Sequence, residues 1–154
     1  MSLEVKEAGN DAFRAERYVE AIRLFTQFID KSDDSVEKAK ALGNRSAAYA
    51  KVGNMLKSLQ DAQDAVDLDM SYVKGHYRIA TAFLALQIPD SAVSAAERGL
   101  MLDPKNKQMS ALLAKARAAE REMHGDEEDD DDDEEMYDDD DDDDDDDDEM
   151  YDDG

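Results

Sequence analysis

The chain has 154 residues, with 18 lysines and arginines against 42 aspartates and glutamates, and a formal net charge of −24. Residues 124–154 contain 24 of these acids and no lysine or arginine, which leaves 18 acids and 18 bases in residues 1–123. The absence of cysteine excludes a disulfide framework and a thiolate metal site. No apolar run approaches the roughly 20 residues that span a bilayer, and the N-terminus has no hydrophobic signal segment. We therefore expect a cytoplasmic protein without membrane contact, and the composition does not exclude the nucleus.

Amphipathic segments follow one another through residues 2–123. Between Tyr18 and Ile29 the apolar residues recur at spacings of three and four, which predicts a helix with one buried face. Before it, a first helix is predicted at Leu3 to Ala15. Further helices are predicted at about Ser35 to Val52, Met55 to Leu68, Ser71 to Leu86, Pro89 to Leu102 and Lys105 to Met123. The sequence therefore predicts an all-α domain of seven helices and no strand.

The predicted helices form pairs, and the pairs repeat. Similar short sequence segments align on the small residues Ala21, Ser58 and Ala92, at steps of 37 and 34 residues. The repeat period is therefore 34 residues, with three extra residues assigned to the first loop. This pattern resembles three tetratricopeptide repeats, at about residues 2–35, 36–70 and 71–104, followed by a capping helix at 105–123. His76 departs from the pattern, since it lies where the first helix of such a repeat carries tryptophan. The resemblance implies stacked helical hairpins whose first helices line a groove for an extended peptide.

Polar residues recur on the predicted first helices. Lys6 and Asn10 are four residues apart, as are Lys74 and Arg78, while Asn44 lies in the middle repeat. Lysine and arginine supply positive charge, and asparagine amides donate hydrogen bonds, so the set suits the capture of carboxylates. Any one of these lysines alone is more simply explained as part of a solvated helix face. Taken together they favour a binding surface.

The segments carrying these residues are similar to the two-carboxylate clamp of co-chaperones, which binds the C-terminal Glu-Glu-Val-Asp of heat-shock chaperones of the seventy- and ninety-kilodalton classes. The resemblance implies that Lys6, Asn10 and Asn44 hold the terminal and last side-chain carboxylates. Lys74 and Arg78 would hold upstream acids and backbone. It also implies secondary groove contacts from Phe13 and Lys51, although repeat position alone makes packing the commoner role for Phe13.

The sequence contains no pattern that indicates catalysis. It has no glycine-rich phosphate loop and no nucleophile paired with a base, and its two histidines, His76 and His124, are isolated from other metal-ligating residues. We therefore expect neither an enzyme nor a bound metal or cofactor.

Residues 124–154 predict a disordered acidic tail, because like charges repel and little apolar surface is available to bury. The five residues 135–139 recur at 149–153. Solubility is the simplest role for this tail. The other roles considered are binding of basic proteins such as histones and occupancy of the chain's own groove, whereas a polyanion disfavours nucleic acid.

The functional hypothesis is a monomeric, non-catalytic chaperone adaptor whose groove binds chaperone C-terminal peptides. The alternative is a histone-chaperone-like acidic protein, in which the tail is the active element and the repeats are its scaffold.

Overall fold

The computed structural model describes residues 3–125, which form an all-α fold as predicted. The described residues contain seven α-helices and no strand. The helices are α1 (Leu3–Arg14), α2 (Tyr18–Lys31), α3 (Ser35–Lys51), α4 (Met55–Leu68), α5 (Val73–Ala85), α6 (Pro89–Leu102) and α7 (Lys107–His124). None of these described helices combines the length and the apolar composition that spanning a bilayer requires. The predictions for the acidic tail beyond residue 125 lie outside the described residues.

The helices are arranged in two rows. Each helix packs against the next in the chain, and α1, α3, α5 and α7 also contact one another in that order. We call α1, α3 and α5 the first-helix row, since each opens a helical hairpin. α7 continues this row, so it covers the apolar side of the last hairpin, as a terminal capping helix must in a stacked repeat. Met109 of α7 is fully buried in the cluster that also contains Ala95 and Ala96 of α6.

The three turns inside the hairpins share one geometry. Glu16, Gly53 and Gln87 each have positive φ, at 62°, 83° and 62°. In each turn, the amide of the following residue bonds back to the third-last residue of the first helix, as in the bond of 2.8 Å from Ile88 N to Phe83 O. These are Schellman motifs, in which a left-handed residue ends the helix. The steps of 37 and 34 residues between them match the repeat period predicted from the sequence.

The structure corrects the position of the three extra residues. The loop between α2 and α3 is short, and the second helices α2, α4 and α6 each have 14 residues. In contrast, α3 has 17 residues whereas α1 has 12 and α5 has 13. The insertion is therefore an additional helical turn at the start of α3, not a longer loop. Asp34 caps this turn by accepting hydrogen bonds from the amides of Val36 and Glu37.

Small residues allow α3 to pack closely on its neighbours. Ala47 and Ala48 are fully buried, and Ser46 donates a hydrogen bond of 2.7 Å to the carbonyl of Ser58 on α4. A side chain at Gly43 would place its Cβ 2.5 Å from the hydroxyl oxygen of Tyr72. Helix α3 is thus held between α1 and α5, which fixes the positions of the polar residues on the first-helix row.

Candidate functional site

The amides of Asn10 and Asn44 meet between α1 and α3. Asn44 Nδ2 donates to Asn10 Oδ1 at 3.1 Å, and Asn44 is only 4% exposed. Asparagine is a poor residue for a helix interior, and this contact gives it a structural reason to be there. The bond uses one donor of Asn44 and one acceptor of Asn10, so each amide retains further hydrogen-bonding capacity. The structure therefore brings together two of the residues predicted for the clamp.

Lys6 reaches from α1 to the additional turn of α3. Its ammonium Nζ lies 2.7 Å from Oε2 of Glu37, and Oε1 of the same carboxylate is 3.7 Å from Nζ of Lys40. The hydrogen bond from Lys6 holds the pKa of Glu37 below its ordinary value, although partial burial opposes this effect. Glu37 was not predicted as part of the site. The only sequence signal for it was the longer first step of the repeat.

Lys74 and Arg78 lie one turn apart on α5, which packs against α3. Lys74 is half-buried and Arg78 is 3% exposed. The guanidinium carbon of Arg78 is 5.5 Å from the centroid of the Tyr77 ring, a distance typical of a cation–π contact. Lys74 and Arg78 therefore lie on the helix that flanks α3 on the side opposite α1.

The two predicted secondary contacts differ in exposure. Phe13 is 8% exposed and packs edge-to-face against Tyr18, with ring centroids 5.3 Å apart. Packing is therefore its main role, and a peptide contact from this residue stays a prediction. Lys51 is exposed at the C-terminal end of α3, where a cation also interacts favourably with the helix dipole.

Arg45, directly after Asn44, turns towards the second helices. Its Nε and Nη2 donate to Asp61 Oδ2 and Oδ1 of α4 at 2.7 and 2.8 Å, and its Nη1 donates to Thr26 Oγ1 of α2 at 3.0 Å. Burial acts against the charged form of Arg45, but the bonds and charge of Asp61 outweigh it and raise the pKa of Arg45 above its usual value. Arg45 is therefore a cross-link between three helices and not a cation of the candidate site.

His76 is a buried residue of α5. It is 7% exposed, and burial lowers its pKa, while a hydrogen bond with the backbone of Met70 acts in the opposite direction. Among the described residues, no group of three or more histidine, cysteine or acidic side chains is arranged to hold a metal ion. The packing position of His76 corresponds to its place in the repeat, where the pattern has a large aromatic residue.

Solved structures show the same fold. The first TPR of Spaghetti (RPAP3), bound to HSP90 peptide SRMEEVD, is 33% identical with a TM-score of 0.71, covering 76% of this chain and 90% of that chain. The second TPR domain of human RPAP3, in complex with HSP70 peptide SGPTIEEVD, is also 33% identical, with a TM-score of 0.67 and coverage of 73% of this chain and 92% of that chain. No family model matches the chain.

Curated relatives are similar over the same region. The Hsp70-Hsp90 organizing protein of Triticum aestivum is 38% identical over 106 residues, which are 69% of this chain and 18% of that protein. This chain spans about a fifth to a quarter of the length of the curated relatives that it matches. The similarity therefore concerns one domain of larger proteins.

Proposed function

Because the chain belongs to the tetratricopeptide-repeat family of co-chaperone domains, we propose that it is a non-catalytic chaperone adaptor of the cytoplasm. In this proposal the first-helix row binds the C-terminal Glu-Glu-Val-Asp of heat-shock chaperones of the seventy- or ninety-kilodalton class. The peptides in the two solved relatives end in this sequence. The observation that carries the proposal is the contact between Asn10 and Asn44, which places two amides between the cations of α1 and α5.

The roles within the site follow from charge and position. Lys6, Asn10 and Asn44 bind the terminal and last side-chain carboxylates, with the ammonium supplying charge and the amides directional hydrogen bonds. Lys74 and Arg78 bind upstream acids and peptide carbonyls. Lys51 adds a weaker contact at the exposed end of α3. Phe13 supports the groove by packing in the core beside it. Only a few residues bind the chaperone peptide, so the interface is small and the binding is reversible.

The acidic residues beyond position 125 support a second candidate, in which basic proteins such as histones bind the tail. The two functions use different parts of the chain and make different predictions. Removing a cation from α5 weakens a groove that binds acidic peptides, but it leaves the 24 acids of residues 124–154 unchanged.

Lys74→Ala, alone and combined with Arg78→Ala, is therefore expected to reduce capture of the chaperones while histone binding stays at the wild-type level. The single change should weaken peptide binding by about tenfold, the scale of one charge-assisted hydrogen bond. Pulldown with purified chaperones and with histones measures both activities on the same variants. Lys31→Ala, which removes an exposed lysine at the end of α2, is the matched control. Wild-type chaperone capture by folded Lys74→Ala protein would exclude α5 from the site.

A further inference from the structure

We propose that Glu37 competes with the bound peptide for the ammonium of Lys6. A peptide carboxylate must therefore displace Glu37 from Lys6. This inference rests on the proposed function and adds a residue that tunes the affinity of the same site. Its basis is the ion pair of 2.7 Å between Lys6 Nζ and Glu37 Oε2, which occupies the ammonium that the clamp uses for the peptide.

The direction in which Lys6 points supports the competition. Lys6 of α1 contacts Glu37 of α3. Asn10, further along α1, contacts Asn44, further along α3, so the two helices run in the same direction. Lys6 precedes Asn10 by one turn, about 6 Å of axial rise, whereas Glu37 precedes Asn44 by about 10 Å. The ammonium is therefore drawn towards the start of α3, away from the two amides. To bind a carboxylate between Asn10 and Asn44, it must leave Glu37.

The environment of Glu37 resembles that of an acidic ligand. Its two oxygens lie near the ammonium groups of Lys6 and Lys40, and its side chain is 28% exposed while that of Lys6 is 16% exposed. A pair at this depth is screened less than a fully exposed one, so displacing it has a measurable free-energy cost. It nevertheless remains open enough to solvent for Lys6 to rotate to another partner.

The additional turn of α3 is what brings Glu37 to Lys6. Asp34 caps the turn and fixes the start of the helix, which places Glu37 in the first turn facing α1. The helix that opens the third hairpin, α5, is four residues shorter and has no corresponding turn. The competitor is thus a feature of one hairpin and does not arise from the repeat pattern.

The test is isothermal titration of the full chain with a Glu-Glu-Val-Asp peptide, as the free acid and as the C-terminal amide, at low salt. Glu37→Gln keeps the size of the side chain but removes its charge, and we expect it to bind the free-acid peptide about three- to fivefold more tightly than the wild type. The amide should show a smaller gain, because it lacks the C-terminal carboxylate and keeps only the last side-chain carboxylate to compete for Lys6. Raising the salt concentration should reduce the gain.

Glu97→Gln is the matched control, since it removes one negative charge from an exposed pair with Arg117 at 3.4 Å, on α6 and α7. Equal gains for both peptides, or equal gains for both variants, would indicate general charge repulsion and overturn the proposal. Weaker binding by Glu37→Gln would also overturn it, because Glu37 would then position Lys6 for the ligand. If the wild type and Glu37→Gln both fail to bind the free acid, the proposed function itself is wrong and the competitor role falls with it.

Discussion

Asn44→Ala is expected to weaken binding of a Glu-Glu-Val-Asp peptide by about ten- to a hundredfold, the range for losing a hydrogen bond to a charged group at a buried site. Asn44 is the middle residue of the proposed site and lies between the cations of α1 and α5. Its amide also orients that of Asn10 through their bond of 3.1 Å. The substitution therefore removes one ligand-binding group and releases a second.

The fold should survive this change. Alanine has a higher helix propensity than asparagine, and small side chains already surround position 44 on α3. Isothermal titration together with circular dichroism measures binding and helicity on the same sample. Gln63→Ala, an exposed amide on α4, is the control and should leave the affinity unchanged. Wild-type affinity in folded Asn44→Ala protein would contradict the assignment of the site at its centre.

The largest loss of stability is expected from Asp61→Ala. This change leaves the guanidinium of Arg45 without its bidentate partner in a region where the Asp61 side chain is 6% exposed and that of Arg45 is 17% exposed. Removing one member of a buried ion pair costs about 3–5 kcal/mol, because the remaining charge is still desolvated. For a domain of this size, the midpoint temperature of thermal unfolding should fall by roughly 10 °C or more.

Two comparisons separate this mechanism from a general effect of charge. Glu97→Ala breaks an exposed pair whose side chains are about half exposed, so its effect should stay below about 1 kcal/mol. Replacing both Arg45 and Asp61 by apolar residues, as in Arg45→Met with Asp61→Leu, should recover most of the stability, since no buried charge remains. Equal losses for Asp61→Ala and Glu97→Ala in thermal denaturation would show that the pair does not link α3 to α4 as described.

Much of the fold was accessible from periodicity and end signals. The predicted starts at Ser35 and Pro89 coincide with the first residues of α3 and α6, and the predicted break between Val52 and Met55 contains Gly53, a left-handed turn residue. The last helix begins two residues later than predicted, at Lys107, because the side chain of Asn106 caps it by accepting a hydrogen bond from the amide of Met109. Local signals of this kind depend only on neighbouring residues, so a sequence displays them directly.

The additional turn of α3 was misplaced for a physical reason. Ala21 and Ser58 both lie on second helices, and an insertion anywhere between them produces the same step of 37 residues. The length of α3 and the capping bonds of Asp34 show that the inserted residues are helical. The sequence predicts a helix from Ser35, but its repeat period alone does not distinguish extra residues in this helix from extra residues in the loop before it.

Contacts between distant residues were the least predictable part of the site. The family pattern pointed to Asn10 and Asn44, and the structure joins them across 34 residues. In contrast, nothing local marks Glu37 as the partner of Lys6, 31 residues away, or Asp61 as the partner of Arg45. Such pairs depend on how the hairpins stack, so they require the three-dimensional arrangement.

In the proposed function, the first-helix row captures an acidic peptide through the C-terminal carboxylate of that peptide. Isothermal titration of the wild-type chain with a Glu-Glu-Val-Asp peptide, compared with the same peptide carrying a C-terminal amide, tests it most directly. We expect saturable one-to-one binding of the free acid and at least about tenfold weaker binding of the amide, since the amide loses a charge-assisted contact with Lys6, Asn10 and Asn44. Equal affinity for the two peptides, or no binding of the free acid at low salt, would contradict the claim.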